Sequence, residues 1–241
     1  MPEFERMNKS DFINYIVEKC SPKFFLKFFS EKKYAFYLTQ GYVCISTAAY
    51  MRSVEEGPRR DQEGYRETRA KNHEWSKPIS GIFVKIDLPN EDSDCKIKNQ
   101  DHTAFLMYCV FAVGEKEETR ESLKTMLMDN NKSFGNYCVV IPHQNEFVDS
   151  FKEAAFIKTI KGNVLREPKL KKSWKSGKVE YKDKPANTGF EKSPSFKYQQ
   201  EFRFLHEFDI EGMNIEAKCS YEAQFMYKVN PPKDAKIIEI V

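Results

Sequence analysis

The stretch from Phe105 to Val113 reads Phe-Leu-Met-Tyr-Cys-Val-Phe-Ala-Val, without a charge, a proline or a glycine. A continuous apolar run of this length is consistent with a central strand buried on both faces. It is the longest such run and falls far short of the roughly 20 residues that span a bilayer. The chain therefore has to enclose it in protein. With 241 residues, 40% hydrophobic content, twenty Phe and twelve Tyr, it has the material for one aromatic-rich core.

Elements on either side are legible from local signals. Ser10 stands where an N-cap belongs, ahead of Phe12, Ile13, Ile16, Val17 and Cys20 at helical spacing, and Ser21-Pro22 ends that helix. Lys23 to Phe29 reads as an aromatic strand. Ser30 then caps a second helix, with Gly41 at its left-handed C-terminal position, and Tyr42 to Thr47 forms the next strand. Further strands are expected at Gly81–Leu88, Asn136–Ile141 and Ala235–Ile240, with a short helix at Ser122–Met128. Asn145 is expected to cap a helix whose apolar stripe runs through Phe147, Val148, Phe151, Ala154 and Ala155 to Lys158. From Phe196 to Phe208 the sequence alternates. Phe196, Tyr198, Phe202 and Phe204 fall on one face and Gln199, Glu201 and Arg203 on the other, so the three polar groups are expected to face solvent. The fold class is α+β, one domain over 1–241, with a lysine-rich insertion or hairpin at about 166–192.

The N-terminal residues lack the basic and apolar regions of a signal peptide. The six cysteines show no paired spacing and are read as reduced, in a cytoplasmic protein without a membrane segment. The four histidines share no helical face, so no metal site is expected.

Three patches could carry chemistry. Tyr50-x-Arg52-x-x-Glu55 followed by Arg60-Asp61-x-Glu63-Gly64 is either a soluble charged loop or a phosphate-gripping one, since guanidinium groups bind phosphate through two parallel hydrogen bonds. Gln199-Gln200-Glu201-Phe202-Arg203 sets a carboxylate two residues from an amide. Glu180-x-Lys182, with Asp87 upstream, forms a loose magnesium-nuclease pattern. Beside them, Pro168 to Pro185 holds seven lysines against Glu180 and Asp183, either a solvated hairpin or a surface for nucleic acid.

The order of these pieces resembles a broad group of bacterial ADP-ribosyltransferase-like proteins of the toxin–antitoxin and anti-phage defence type. The resemblance runs from Lys27-Phe28, through Gly41 and its strand, the Tyr50, Arg52 and Arg60-Asp61 motifs and the Phe134-Gly135-Asn136-Tyr137 strand, to Gln199-x-Glu201-Phe202-Arg203. It implies a split β-sandwich with flanking helices, and a cleft that binds NAD. It assigns Glu201 to the nicotinamide ribose and its developing positive charge, and Gln199 to the acceptor. Lys27, Ser46, Thr47, Tyr50, Arg52, Arg60 and Asp61 are implied at the cofactor. Lys27 stands where many relatives have Arg, His or Tyr, and Ser46-Thr47 or Ser133 takes the place of their Ser-Thr-Ser. Gln in place of Glu at 199 implies an acceptor other than arginine. The lysine-rich segment inclines the reading to RNA or DNA, and a toxin of this type implies a neutralising antitoxin protein. Two other classes remain: a non-catalytic nucleic-acid- or protein-binding module on the same fold, and a magnesium-dependent nuclease.

Overall fold

A computed structural model describes residues 3–19, 24–47, 50, 78–79, 82–83, 103–128, 134–161, 169–170, 174–183, 189–209 and 223–241. All of the Phe105–Val113 run but its last residue lies in β6 (Thr103–Ala112), the strand around which the rest is arranged. Before it come β1 (Glu3–Met7), α1 (Lys9–Lys19), β2 (Phe25–Phe29), α2 (Lys32–Thr39), β3 (Tyr42–Thr47), β4 (Pro78–Ile79) and β5 (Ile82–Phe83). After it come α3 (Lys116–Met128), β7 (Tyr137–Ile141), α4 (Gln144–Ser150), β8 (Ala155–Lys161), β9 (Lys169–Leu170), β10 (Lys175–Lys178), β11 (Glu180–Tyr181) and β12 (Glu191–Lys192). The chain closes with β13 (Glu201–Asp209), β14 (Gln224–Lys228) and β15 (Lys236–Ile240). Mixed α and β elements around one large sheet fit the expected α+β class.

The sheet runs β1-β15-β7-β2-β6-β3-β14-β8, and β13 lies along the other edge of β6 with β9 and β10 outside it. β13 pairs with β6 over its whole length, from Glu201 opposite Phe111 to Asp209 opposite Thr103. On the opposite edge β6 is shared. β2 takes Phe111 and Ala112, and β3 takes Leu106 and Met107. Two strands that leave one edge at different heights make a fork. There the Cys109 carbonyl accepts a hydrogen bond from the Lys27 ammonium at 2.6 Å.

Side-chain alternation along the strands divides the core into two layers. On one face Phe25, Tyr108, Val110, Phe204, Phe225 and Tyr227 pack with α2 and with Phe147 and Phe151. Phe151 stacks on Phe204 with centroids 4.0 Å apart. On the other face Leu26, Phe111, Val140 and Ile238 meet Phe12 and Ile16 of α1 and Leu123 and Met126 of α3. Burying a side chain of this size contributes about 1.5–3 kcal/mol, so these layers outweigh any single polar contact.

Several local expectations are corrected. Asn8, not Ser10, caps α1. Its Oδ1 accepts the Asp11 backbone N–H at 2.8 Å while its Nδ2 donates to the Asp11 carboxylate at 2.7 Å. Glu31 rather than Ser30 precedes α2, and Gly41 follows it with φ +81° as expected. The helix expected to reach Lys158 ends at Ser150. A short 3₁₀ turn follows, and Ala155–Lys161 is a strand because β14 pairs with it. The Phe196–Phe208 alternation is also interrupted. Pro194–Gln199 is a 3₁₀ turn, Gln200 reverses the chain with φ +39°, and the strand begins at Glu201. No helix among the described residues is long and apolar enough to cross a membrane.

Candidate functional site

The lysine-rich segment does not stand apart from the sheet. Its described part includes β9 and β10, which both pair antiparallel with β13, and β10 sets Gly177 opposite Arg203 and Lys178 opposite Phe202. The next strand, β11, pairs in parallel with β12, setting Tyr181 beside Lys192. These short strands close over the first residues of β13 and enclose the polar face that was expected to meet water.

Glu201 sits at the centre of this closure. Its Oε2 lies 2.9 Å from Lys192 Nζ and 3.0 Å from Arg203 Nη2. The side chains of Lys192 and Arg203 are 3% and 2% exposed, and that of Glu201 is 12% exposed. Arg203 also donates from Nη1 to the Gly189 carbonyl at 2.6 Å. The Glu201 backbone N–H donates to Tyr181 Oη at 3.0 Å. Thus three residues of the 181–192 stretch, Tyr181, Gly189 and Lys192, hold the acid and its cation in place.

The electrostatics follow from this geometry. Burial alone would raise the Glu201 carboxyl, but Arg203, Lys192 and hydrogen bonds from Arg203 and Cys109 outweigh it and hold the group far below the usual carboxylate range. Burial, aided by the Glu201 charge, pushes the Cys109 thiol well up, so it is no nucleophile at neutral pH. Burial likewise raises the Tyr181 phenol to about 12, even though the Glu201 N–H favours its ionised form.

Gln199 reaches the same cluster from the 3₁₀ turn rather than from the strand. Its Oε1 accepts from Lys192 Nζ at 2.8 Å, and its Nε2 lies 3.4 Å from Tyr198 Oη. Lys192 thereby bridges the two residues expected to act together, Glu201 and Gln199. Nothing in the sequence pattern singled out Lys192.

Of the residues expected at the cofactor, Lys27, Ser46, Thr47 and Tyr50 are described and each is engaged within the chain. Lys27 occupies the fork, with its ammonium also 4.7 Å from the Tyr108 ring centroid. Ser46 and Thr47 are 4% and 2% exposed. Ser46 Oγ accepts from Gln224 Nε2, and Thr47 Oγ1 accepts from the backbone N–H groups of Tyr50 and Ala223. Tyr50 Oη accepts from Lys161 Nζ at 3.0 Å. Arg52, Arg60, Asp61 and Ser133 lie outside the described residues, as does Asp87 of the nuclease pattern. Within that pattern, Lys182 is bound by Glu180 and Glu191, each at 2.7 Å. Among the described residues no three His, Cys, Asp or Glu side chains gather as metal ligands would. A groove of about 330 Å³ between α4 and the Asn230–Lys233 turn is lined by none of the candidate residues.

No protein-family model, curated protein or solved structure matches the chain.

Proposed function

We propose that the chain is an NAD-dependent mono-ADP-ribosyltransferase of the cytoplasm, a toxin or defence effector held in check by an antitoxin protein, on an ADP-ribosyltransferase-like split sandwich. Its acceptor is a nucleic acid, and Glu201 is the residue facing the reacting ribose. The observation that carries this reading is a carboxylate kept ionised by two cations at the first residue of a strand, with part of its side chain still open. Such a group is a poor acid or base, because its proton affinity is too low to exchange protons near neutral pH. It is well suited to stand, fixed and charged, beside a developing positive centre. NAD supplies that centre when its bond to nicotinamide breaks and the electron pair leaves with the nicotinamide nitrogen. Glu201 stabilises the charge, and Gln199 orients the acceptor.

The test is nicotinamide release from NAD by the full chain, compared with Glu201→Gln. Losing one preorganised charged group lowers the rate by on the order of a hundredfold or more. Because the substitution leaves two buried cations unbalanced, the folded fraction is measured by circular dichroism in the same samples. Equal release by the two folded proteins, or none from the wild type, ends this reading.

A second reading, a binding module without catalysis, is favoured by the exposed Lys175 and Lys178 on β10, beside the strand that carries Glu201. It predicts salt-dependent binding of single-stranded RNA with no turnover of NAD.

A further inference from the structure

α2 buries Ala35 and Leu38 and leaves Tyr34 and Tyr37, one helical turn apart, at the surface, where they are 40% and 43% exposed. Their centroids lie 6.3 Å apart, and Tyr42, the first residue of β3 beyond the turn at Gly41, continues the row at 6.3 Å from Tyr37. One exposed ring needs no explanation, but three in contact make a patch. Cations accompany them. Lys33 Nζ is 4.8 Å from the Tyr34 centroid and pairs with Glu31 at 2.7 Å. Lys228, opposite Tyr42 on β14, holds its ammonium 3.9 Å from that ring centroid and donates to the Gln40 carbonyl. Lys161, at the end of β8, donates to Tyr50 Oη at 3.0 Å, and the Tyr50 and Tyr34 phenols both favour its charged form. Among the described residues Lys161 and Lys228 meet no carboxylate.

Charge decides which partner suits these rings. The centres of protein interfaces are rich in Tyr but depleted in Lys. A second copy docking face to face would set lysine against lysine. Single-stranded nucleic acid uses both groups, since every base has a face that stacks on an aromatic ring and the backbone phosphates take the ammonium groups. A duplex keeps those faces inside its own stack. We propose that Tyr34, Tyr37 and Tyr42, with Lys161 and Lys228 beside them, are a stacking platform for single-stranded nucleic acid. It lies across β6 from the strand that carries Glu201. Binding there requires neither NAD nor the transferase reading. Where that reading holds, the platform grips the acceptor strand away from the reacting end.

Fluorescence anisotropy of the full chain with short labelled oligo-U and oligo-dT, over a series of salt concentrations and without NAD, measures stacking and charge separately. Binding of either strand supports the platform. Tyr34→Leu combined with Tyr37→Leu should weaken binding by on the order of tenfold or more and leave the salt slope unchanged. Tyr34→Phe combined with Tyr37→Phe keeps the rings and should bind within about twofold of wild type. Lys161→Gln combined with Lys228→Gln should instead flatten the slope of log K against log salt by about 0.7 for each lysine. Circular dichroism checks the fold of each variant, and if one pair unfolds the other pairs decide. Duplex RNA of the same length should compete less well than the single strand by on the order of tenfold. A wild type that does not bind, a duplex that competes equally, or a Phe pair as weak as the Leu pair overturns the proposal. So does a loss that follows only Lys175→Gln with Lys178→Gln on β10. Nicotinamide release on the same preparations keeps the two ideas apart. Ring-dependent binding without release removes the transferase and leaves the platform, and release without ring-dependent binding does the reverse.

Discussion

Lys192 Nζ and Glu201 Oε2 are 2.9 Å apart in a setting where the lysine side chain is 3% exposed and the glutamate 12%. The expectation that Glu201 faces solvent is corrected by this contact. Removing one member of a buried pair leaves the other charge without its partner, at about 3–5 kcal/mol. Lys192→Met is expected to lower the unfolding free energy measured in urea by that amount, through a lower midpoint with the m-value unchanged. A loss below about 1 kcal/mol would show that Arg203 and water hold the acid without Lys192.

Acid should reveal the same contact. A carboxyl whose folded pKa lies below its unfolded value contributes stability that is present above the unfolded value, near 4.3. That contribution is lost as pH falls toward the folded value. Glu201 is held far below the usual range, so its contribution should be constant from neutrality to about pH 5 and decline below that. The stability difference between wild type and Glu201→Gln should shrink as pH falls under about 4. If the difference stays constant down to pH 3, Glu201 is not the depressed group.

Tyr181 makes the opposite case at alkaline pH. Its phenol is raised by burial to about 12, so its stabilising share is complete below the unfolded value near 10 and fades as pH climbs through 12. Tyr181→Phe also removes the oxygen that accepts the Glu201 N–H, and is expected to cost about 1–3 kcal/mol at neutral pH. Ultraviolet titration of tyrosinate should show one residue fewer titrating above pH 11 in the variant. An unchanged high-pH phase would place the late-titrating phenol elsewhere.

Gly189 combines a backbone and a packing demand. Its φ is +77°, a Cβ added there would meet Leu205 Cδ1 at 2.6 Å, and its carbonyl accepts from Arg203. Gly189→Ala is expected to destabilise by about 1–3 kcal/mol and to weaken the hold on Arg203. Chemical denaturation measures the first effect, and the acid limb of stability, shifted toward higher pH in the variant, measures the second.

The parts of this fold that were legible are those set by near neighbours in sequence. β6 announced itself because residues buried on both faces need no polar alternation. The α2–Gly41–β3 passage was readable because a left-handed glycine follows a helix for local steric reasons. β8 was hidden, since Phe147, Phe151, Ala154 and Lys158 keep a helical period across the boundary, and only pairing with β14 decides for strand. Gln199 was assigned to the strand because alternation cannot register a reversal at Gln200. Lys192 carried no pattern at all. Its burial comes from a glutamate on another element and two small strands whose pairing is not local.

The position of β15 has a consequence for how this chain is made. Lys236–Ile240 lies between β1 and β7, with Glu3 opposite Lys236 and Val139 opposite Ile237, so the earliest described strand reaches the sheet only through the last. As residues leave the ribosome, β1 has no pairing partner among the described strands until residue 240 is synthesised, and β6 waits for 201–209 to cover its second edge. Contacts this distant in sequence favour slow, late closure. A nascent chain would therefore carry an unfinished sheet until residue 240 has emerged, whereas Glu201 meets Tyr181, Gly189 and Lys192 that were made before it.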